Sequence, residues 1–375
     1  NDFFAGPDGI SNRNVFEKVA KKCYLPANEI FYELLKKHPE FKASFSFSGV
    51  FLEQIEKDSP ETLASFQELV KTGRVEILSE TYYHSLSFLY SPKEFKKQVN
   101  LHKKKVKELF NVQPKVFRNT ELIYNNALAK EVESMGFKGV ISEGADHILG
   151  WRSPNFLYKP KDTKKVKLLL KNYRLSDDIA FRFSSKDWEG YPLTAPQFAE
   201  WVSAVNGNGN LVNLFMDYET FGEHQWEDTG IFEFLRHLPE EILKHPDNDF
   251  VTPSEAIERY DEVAELDVPH FISWADVERD LSAWLSNDLQ HDAIEKLYAL
   301  EDDVLNTKNK KIINDWRKMQ TSDHFYYMCT KWFEDGDVHK YFNPYESPYD
   351  AFIAFMNALN DLKLRTVLKN RSSLV

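Results

Sequence analysis

The sequence predicts an α/β protein in which a parallel sheet, favoured as a barrel over an open sheet, is followed by a helical region. Two observations support this prediction. The first two-thirds of the chain alternates short apolar runs with amphipathic stretches, which is the pattern of repeated βαβ units. From residue 274 onward the periodicity is helical, and no segment has a convincing strand pattern. The change of character places a boundary near residues 266–271.

Each predicted strand is a short apolar run bounded by turn residues or by the ends of predicted helices. The strands are predicted over residues 42–47, 74–78, 115–118, 137–141, 166–170, 211–216 and 250–252. Local signals also mark helix ends. Ser91 and Pro92 suit the N-cap and first position of a helix that runs to about residue 110. Gly136 suits the C-terminal end of the helix that precedes it. Six or more such units favour closure into a barrel.

The last third of the chain is predicted to be a set of helices. They cover residues 276–284, 292–305, 311–319, 324–333 and 348–368. The sequence has no glycine-rich linker or low-complexity tract between the two regions, so we expect the helical region to pack tightly on the barrel. The predicted domains are a catalytic barrel over residues 1–268 and a helical domain over residues 269–375.

Composition limits the classes of partner and the cellular compartment. The 375 residues carry 47 Lys and Arg against 59 Asp and Glu, a net charge of −12. An acidic chain of this kind is not expected to bind nucleic acid or an anionic membrane as its main partner. No apolar run is long enough for a transmembrane helix, and the N-terminus lacks a signal-peptide pattern. Two cysteines, Cys23 and Cys329, indicate a reducing compartment, so we expect a cytoplasmic protein.

Acidic side chains follow several of the predicted strands, where the loops of a parallel barrel converge. Glu121 comes directly after the strand at 115–118, and Asp217 follows the strand at 211–216 within a loop rich in aromatic residues. Glu80 and His84 follow the strand at 74–78. Two carboxylates facing each other across a barrel mouth are the groups that glycoside hydrolysis requires. Glu219, close to Asp217, would supply a charge that raises the pKa of an acid catalyst.

Four segments resemble signature regions of glycoside hydrolase family 57 and a fifth resembles one of its helical-domain motifs, and the resemblance spans about residues 15–360. NLFMDYETFGEHQW at 213–226 is similar to the fourth region of the family, FRNTELIY at 117–124 to the third and GRVEIL at 73–78 to the second. SWADVERDLSAWL at 273–285 resembles the fifth region in the α-amylase branch, and TSDHFYY at 321–327 resembles a helical-domain motif of that branch. The match at 213–226 is long and specific, whereas the match at 73–78 alone would be weak.

The resemblance implies an incomplete (β/α)7 barrel followed by a helical domain that completes the site, and a retaining mechanism on α-1,4-glucans without a metal or cofactor. By position, Glu121 would be the nucleophile and Asp217 the general acid/base. The expected substrate-binding residues, with His84 added from its strand end, are Glu76, Glu219, His84, His224, Trp226, Trp274, Asp280, Trp284 and Asp323. The two tryptophans of the fifth region have an equally simple interpretation as core residues of the bundle.

One part of the family pattern is missing from the sequence. The family begins with a strand that ends in His-Gln-Pro, and that histidine lines the site. This chain contains no His-Gln-Pro and begins at Asn1 near the point where the family has already passed its first strand. The sequence therefore indicates that the first strand has been truncated or is absent. A true absence would leave neighbouring strand edges unpaired and put catalytic activity in doubt.

Two other functions remain open at this stage. A metal-dependent polysaccharide deacetylase or α-mannosidase uses a related barrel, but it needs closely spaced ligands, and no two of the 11 histidines lie within five residues of each other. His84, His147 and His224 would have to converge from separate loops. A non-catalytic glucan-binding protein would use the same groove. The sequence does not decide between hydrolysis and transfer, and it leaves the oligomeric state open.

Overall fold

The strands of the first two-thirds of the chain pair in parallel and in chain order. The computed structural model describes residues 12–332 and 338–372. Strand β1 pairs with β2, β3 with β4, and β4 with β6, in every case parallel. These five strands are β1 (Ala43–Ser46), β2 (Val75–Leu78), β3 (Val116–Arg118), β4 (Gly139–Glu143) and β6 (Lys167–Lys171).

Isolated bridges extend the parallel order beyond the named pairs. Ser79 bridges to Phe117 and so joins β2 to β3, and Lys171 bridges to Asn213 on the far side of β6. A separate parallel pair is formed by β5 (Lys159–Pro160) and β7 (Glu265–Leu266). Together these contacts give the incomplete barrel that the sequence predicted.

Helices connect the strands. The first two, separated by a π-helical turn at Ala20–Tyr24, precede β1. The helices of this region are α1 (Asn12–Val19), α2 (Leu25–Lys37), α3 (Gly49–Asp58), α4 (Pro60–Lys71), α5 (Ser87–Tyr90), α6 (Pro92–Phe110), α7 (Asn126–Ser134), α8 (Asp146–Leu149), α9 (Tyr173–Ala180), α10 (Ala195–Ser203), α11 (Ile231–Leu243) and α12 (Pro253–Arg259). Ser91 caps α6 by accepting a hydrogen bond from the backbone N–H of Glu94, as its sequence signal predicted. Gly136, just after α7, has a φ of +85°.

The rest of the chain forms a helical bundle with its own apolar core. Its helices are α13 (Asp288–Tyr298), α14 (Glu301–Asn306), α15 (Lys310–Lys318), α16 (Ser322–Tyr326), α17 (Val338–Tyr341) and α18 (Pro348–Ser372). Trp316, Phe325 and Phe355 are buried at its centre. Leu86 and Ile123, from loops that follow barrel strands, belong to the same core. The bundle therefore packs against the barrel loops, and the boundary after residue 268 stays a prediction.

Four predicted elements differ from the structure. Residues 211–216 form only a bridge at Asn213, because backbone N–H groups of this segment donate to the carbonyl of Asn155 and to Ser176 Oγ. Residues 250–252 are irregular rather than a strand, and the predicted helix at 292–305 is divided between α13 and α14. The predicted helix at 276–284 is a series of turns. Asp276 and Arg279 there have φ values of +55° and +53°, which a helix excludes.

Two predictions reach residues outside the described part of the chain. The missing first strand was inferred from the sequence around residue 1, and residues 1–11 are not described. The predicted helix at 324–333 ends at a residue that is likewise not described, and its described part overlaps the shorter α16 only over residues 324–326. Within the described residues, every helix is either too short or too polar to cross a bilayer.

Candidate active site

A deep cleft with a volume of about 2400 Å³ runs between the barrel and the helical bundle. Loops after the strands form one side, and residues of α16, α17 and α18 form the other. Eight of the predicted site residues line this cleft: His84, Glu121, Asp217, Glu219, His224, Trp274, Trp284 and Asp323. The two carboxylates expected to carry the chemistry therefore open onto the same space.

Glu121 is held by hydrogen bonds from three different parts of the fold. It follows β3 and has a φ of +57°, a conformation that costs energy for a residue other than glycine. Its Oε1 atom lies 3.1 Å from Nε2 of His84 and accepts a hydrogen bond of 2.8 Å from Oγ of Ser322. Its Oε2 atom accepts a hydrogen bond of 2.9 Å from the indole N–H of Trp274. These contacts fix the carboxylate in one orientation.

The surroundings of Glu121 keep it ionised. Burial alone would raise the pKa of this carboxyl. The hydrogen bond and positive charge of His84, with further contributions from Arg118 and Trp274, outweigh burial and lower the pKa to about 2. Glu121 is therefore a carboxylate at neutral pH, as a nucleophile must be.

His84 is part of a buried charge network behind Glu121. Its Nδ1 atom lies 3.4 Å from Glu80, which also accepts hydrogen bonds from Arg118 at 3.0 Å and Ser46 at 2.9 Å. Burial opposes a charge on His84, but the hydrogen bonds and charges of Glu121 and Glu80 raise its pKa to about 10. Glu80 is 1% exposed, and its pKa is lowered to about 2 because His84 and Arg118 outweigh its burial. The histidine is thus a cation between two carboxylates.

Asp217 differs from Glu121 in its surroundings. Its side chain is exposed in the cleft and, among the described residues, has no hydrogen-bond or ion-pair partner. Glu219 lies two residues further on and accepts a hydrogen bond from the hydroxyl of Tyr24. Burial, followed by the charge of Asp217, raises the pKa of Glu219. The carboxyl group of Asp217 is therefore free to contact a ligand, whereas that of Glu219 is hydrogen-bonded to Tyr24.

The helical bundle reaches Glu121 through the start of α16. The backbone N–H of Ser322 donates to the carbonyl of His84 at 2.8 Å, and the hydroxyl of Thr321 donates to the carbonyl of Tyr83 at 3.0 Å. This pairing places Asp323 in the cleft, where its side chain is exposed to the open space and within the electrostatic reach of both Glu121 and Asp217. Desolvation by the surrounding cleft walls and the charges of those two carboxylates raise the pKa of Asp323 to about 6, against the opposing effect of His84.

Aromatic side chains form part of the cleft wall. His224 packs edge-on against Phe342 with ring centres 5.4 Å apart, which joins the Asp217 loop to the segment after α17. Trp284 is only 1% exposed and belongs to the bundle core. It therefore lines the cleft with little exposed surface and offers no open ring face to a ligand. Trp274 lies beside Glu121. Aromatic faces of this kind are typical of sites that bind sugar rings.

Three residues predicted to bind substrate do not line the cleft. Glu76, in β2, accepts hydrogen bonds from the backbone N–H and hydroxyl of Ser254 at the start of α12. Asp280 stabilises its own turn by accepting from the N–H of Ser282. Trp226 is 56% exposed in a separate depression, where the ammonium of Lys22 lies 4.2 Å from its ring centre. The structure therefore does not bring these three residues into the cleft that the other eight line.

The roles of Arg118 and Ser322 were not predicted. Arg118 is the last residue of β3 and is buried, and an arginine at the end of a predicted apolar strand was a usable sequence signal for a charge network. Glu80 follows a predicted strand but is not among the predicted site residues. No local signal in the sequence indicates that Ser322, about 200 residues further along the chain, donates to Glu121.

The metal-dependent alternative requires several metal-binding side chains to lie close together. Within residues 12–332 and 338–372, no three His, Cys, Asp or Glu side chains are grouped so that they could hold a metal ion. His84 and His224 line the cleft together with His147, but His84 is engaged by Glu80 and Glu121 and His224 by Phe342. The metal-dependent alternative thus gains no ligand set from these residues.

The sequence profile described as Glycosyl hydrolase family 57 matches residues 7–269, which is more than half of the chain. The chain belongs to glycosyl hydrolase family 57. A provisionally named alpha-amylase of Methanocaldococcus jannaschii is 47% identical over 363 residues, covering 94% of this chain and 77% of that protein. The alpha-amylase of Pyrococcus furiosus is 27% identical over 250 residues, covering 66% of this chain and 37% of that protein.

Solved structures of the family share this fold. A GH57-type branching enzyme from Pyrococcus horikoshii aligns with a TM-score of 0.69 at 14% identity, covering 95% of this chain and 91% of that one. The 4-alpha-glucanotransferase of Thermococcus litoralis aligns with a TM-score of 0.64 at 20% identity, covering 83% of this chain and 53% of that one. These similarities agree with the architecture of barrel and helical bundle described above.

Proposed function

We propose that this protein is a retaining glycoside hydrolase of α-1,4-glucans, with Glu121 as nucleophile and Asp217 as general acid/base. The observation that carries the proposal is that Glu121 is ionised and fixed by three donors in the same cleft as an unpartnered Asp217. Membership of glycosyl hydrolase family 57 and the names of the relatives support the choice of α-glucan as substrate.

The reaction would have two steps. Glu121 attacks the anomeric carbon of a glucose unit while Asp217 protonates the departing glycosidic oxygen, and a glycosyl-enzyme forms. Asp217 then removes a proton from an incoming water or sugar hydroxyl. The oxygen of that group bonds to the anomeric carbon as the ester bond to Glu121 breaks, so the glycosyl group leaves with its original configuration. Retention requires the two carboxyl groups to lie about 5–5.5 Å apart around the substrate.

The fate of the glycosyl-enzyme decides between hydrolysis and glucan transfer. Water gives shorter maltooligosaccharides, and a second glucan gives longer ones. We favour hydrolysis as the main outcome, because the Methanocaldococcus jannaschii relative, which is 47% identical to this chain, carries the alpha-amylase name. A cytoplasmic location is part of the same proposal, since both cysteines are buried and free.

The test is incubation of the protein with maltoheptaose and separation of the products by length. Shorter products support hydrolysis, and a ladder of longer products identifies transfer. Replacing Glu121→Gln or Asp217→Asn should lower kcat on the order of 10³-fold, as for other paired catalytic groups. Glu265→Gln, which changes an exposed residue of β7, is the matched control and should leave turnover unchanged.

Two results would contradict the proposal. If maltoheptaose is unchanged while glycogen retards the protein in a native gel, the site binds glucan without catalysis. If activity is lost on chelation and restored by a divalent metal, a metal-dependent reaction replaces the double displacement.

A further inference from the structure

The three donors around Glu121 are shared unequally between its two carboxylate oxygens. Oε1 faces both Nε2 of His84 at 3.1 Å and the hydroxyl of Ser322 at 2.8 Å. Oε2 accepts a single hydrogen bond, of 2.9 Å, from the indole N–H of Trp274. An ionised carboxylate offers about two acceptor sites on each oxygen. Within the described residues, both sites of Oε1 are occupied and one site of Oε2 remains free.

We propose that Oε2 is the atom of Glu121 that attacks the sugar, and that Trp274 is the positioning residue that directs it. In this step a lone pair of Oε2 forms the bond to the anomeric carbon, and the bond from that carbon to the glycosidic oxygen breaks. The electron pair of the broken bond takes the proton of the Asp217 carboxyl. The inference rests on the proposed function, since it assigns atoms within the same step.

Trp274 is itself tightly held, which a positioning role requires. Its backbone N–H donates to the carbonyl of Glu121 at 3.3 Å, and its own carbonyl accepts a hydrogen bond from Arg279. Arg279 has a φ of +53°, so the turn that carries the tryptophan is fixed in an unusual conformation. Main chain and side chain of Trp274 therefore both bind the same glutamate.

The ring of Trp274 is occupied by cations. The guanidinium of Arg118 lies 5.1 Å and the ammonium of Lys171 lies 5.3 Å from the ring centre, and Phe215 packs at 6.0 Å. Cations over an aromatic face are attracted to the ring and cover it. These neighbours favour a role for the N–H over a role for the face as a platform for sugar.

The first experiment compares Trp274→Phe with Trp316→Phe in the full chain. Trp316 is a matched control, because its indole N–H also makes a 2.9 Å bond to an oxygen, the carbonyl of Leu297, but inside the bundle core. With maltoheptaose, Trp274→Phe should lower kcat about tenfold or more, because a misplaced nucleophile reacts slowly, while KM changes less than threefold. Trp316→Phe should lower the melting temperature and keep the wild-type kcat.

Ser322→Ala tests which oxygen attacks. This variant removes a donor from Oε1 and leaves the contact between Trp274 and Oε2 in place. It should lower kcat less than Trp274→Phe does. An equal or greater loss would overturn the assignment of Oε2. A raised KM with kcat within twofold of wild type in Trp274→Phe would instead make Trp274 a platform for sugar and overturn its positioning role.

A trapped intermediate gives a readout that does not depend on any variant being folded. A 5-fluoro glycosyl fluoride should label Glu121 in the wild-type protein, and the structure of the labelled protein should place the ester oxygen next to Nε1 of Trp274. An ester oxygen beside Ser322 would overturn the inference and leave the proposed function intact. Absence of both turnover and label in the wild-type protein would overturn both proposals.

Discussion

Nε2 of His84 lies 3.1 Å from Oε1 of Glu121, and the opposite nitrogen of the same ring faces Glu80. One imidazolium therefore balances two carboxylates in a site that is largely screened from water. His84 itself has a φ of +48°, so the backbone conformation at the end of the β2 loop is also adapted to this contact. The charge state of Glu121 depends on a residue that need not touch the substrate.

Replacing His84→Gln should move the acid limb of the kcat/KM profile to higher pH. Without the imidazolium, the burial of Glu121 is less well opposed, so its pKa rises from about 2 and a larger fraction of this proposed nucleophile is protonated in acid. We expect kcat to fall about tenfold or more. The measurement is kcat/KM on maltoheptaose from pH 3 to 8, with exposed His237→Gln as control. An unchanged acid limb would contradict this account of Glu121.

The loss of unfolding free energy in His84→Gln, compared with the wild-type protein, should be largest between about pH 4.5 and 6.5. The pKa of Glu121 is lowered from 4.5, so its contribution to stability is complete above pH 4.5 and is lost as the pH falls towards 2. The pKa of His84 is raised from 6.5 to about 10, so its contribution is complete below pH 6.5 and is lost as the pH rises through 10. Urea unfolding of both proteins across this range measures the difference, and a difference independent of pH would contradict the ion pairing.

Asp323 should give the activity profile an inflection near pH 6. Its pKa is raised to about 6, so below that pH it is neutral, and above it a further negative charge faces Glu121 and Asp217. Asp323→Asn should remove the inflection from the profile of kcat against pH. Asp303→Asn, in α14 of the bundle, is the control and should retain it. Persistence of the inflection in Asp323→Asn would assign it to another group.

Glu76→Ala should cost stability and leave catalysis intact. The carboxylate accepts two hydrogen bonds from Ser254 at the N-terminal end of α12, one of them a 2.8 Å bond from the backbone N–H. Loss of such a cap costs about 1–2 kcal/mol in the free energy of unfolding. Denaturant unfolding provides the measurement, and Glu258→Ala tests an exposed carboxylate in the same helix. A tenfold fall in kcat would contradict this prediction and indicate that Glu76 acts in the active site.

The sequence was sufficient to predict which strand ends meet, because the carboxyl ends of neighbouring parallel strands lie at one edge. That rule placed Glu121 and His84 in one cleft, and Asp217 lies there too although residues 211–216 form only a bridge at Asn213. It could not place Glu76, which lies within β2 and alternates with the buried Val75 and Ile77, so that its side chain reaches α12. Backbone contacts made by distant loops also escaped it, as the irregular segment around Asn213 illustrates.

The short pairing of Thr321 and Ser322 with Tyr83 and His84 bears on the engineering of such enzymes. A chimera could take its barrel from one relative and its bundle from another. Its segments equivalent to 83–84 and 321–322 would then come from proteins in which they had not evolved together. The exchanged part of the chain would need to include both of these segments. Grafting the bundle alone would alter the surroundings of Glu121 without changing any residue of the barrel.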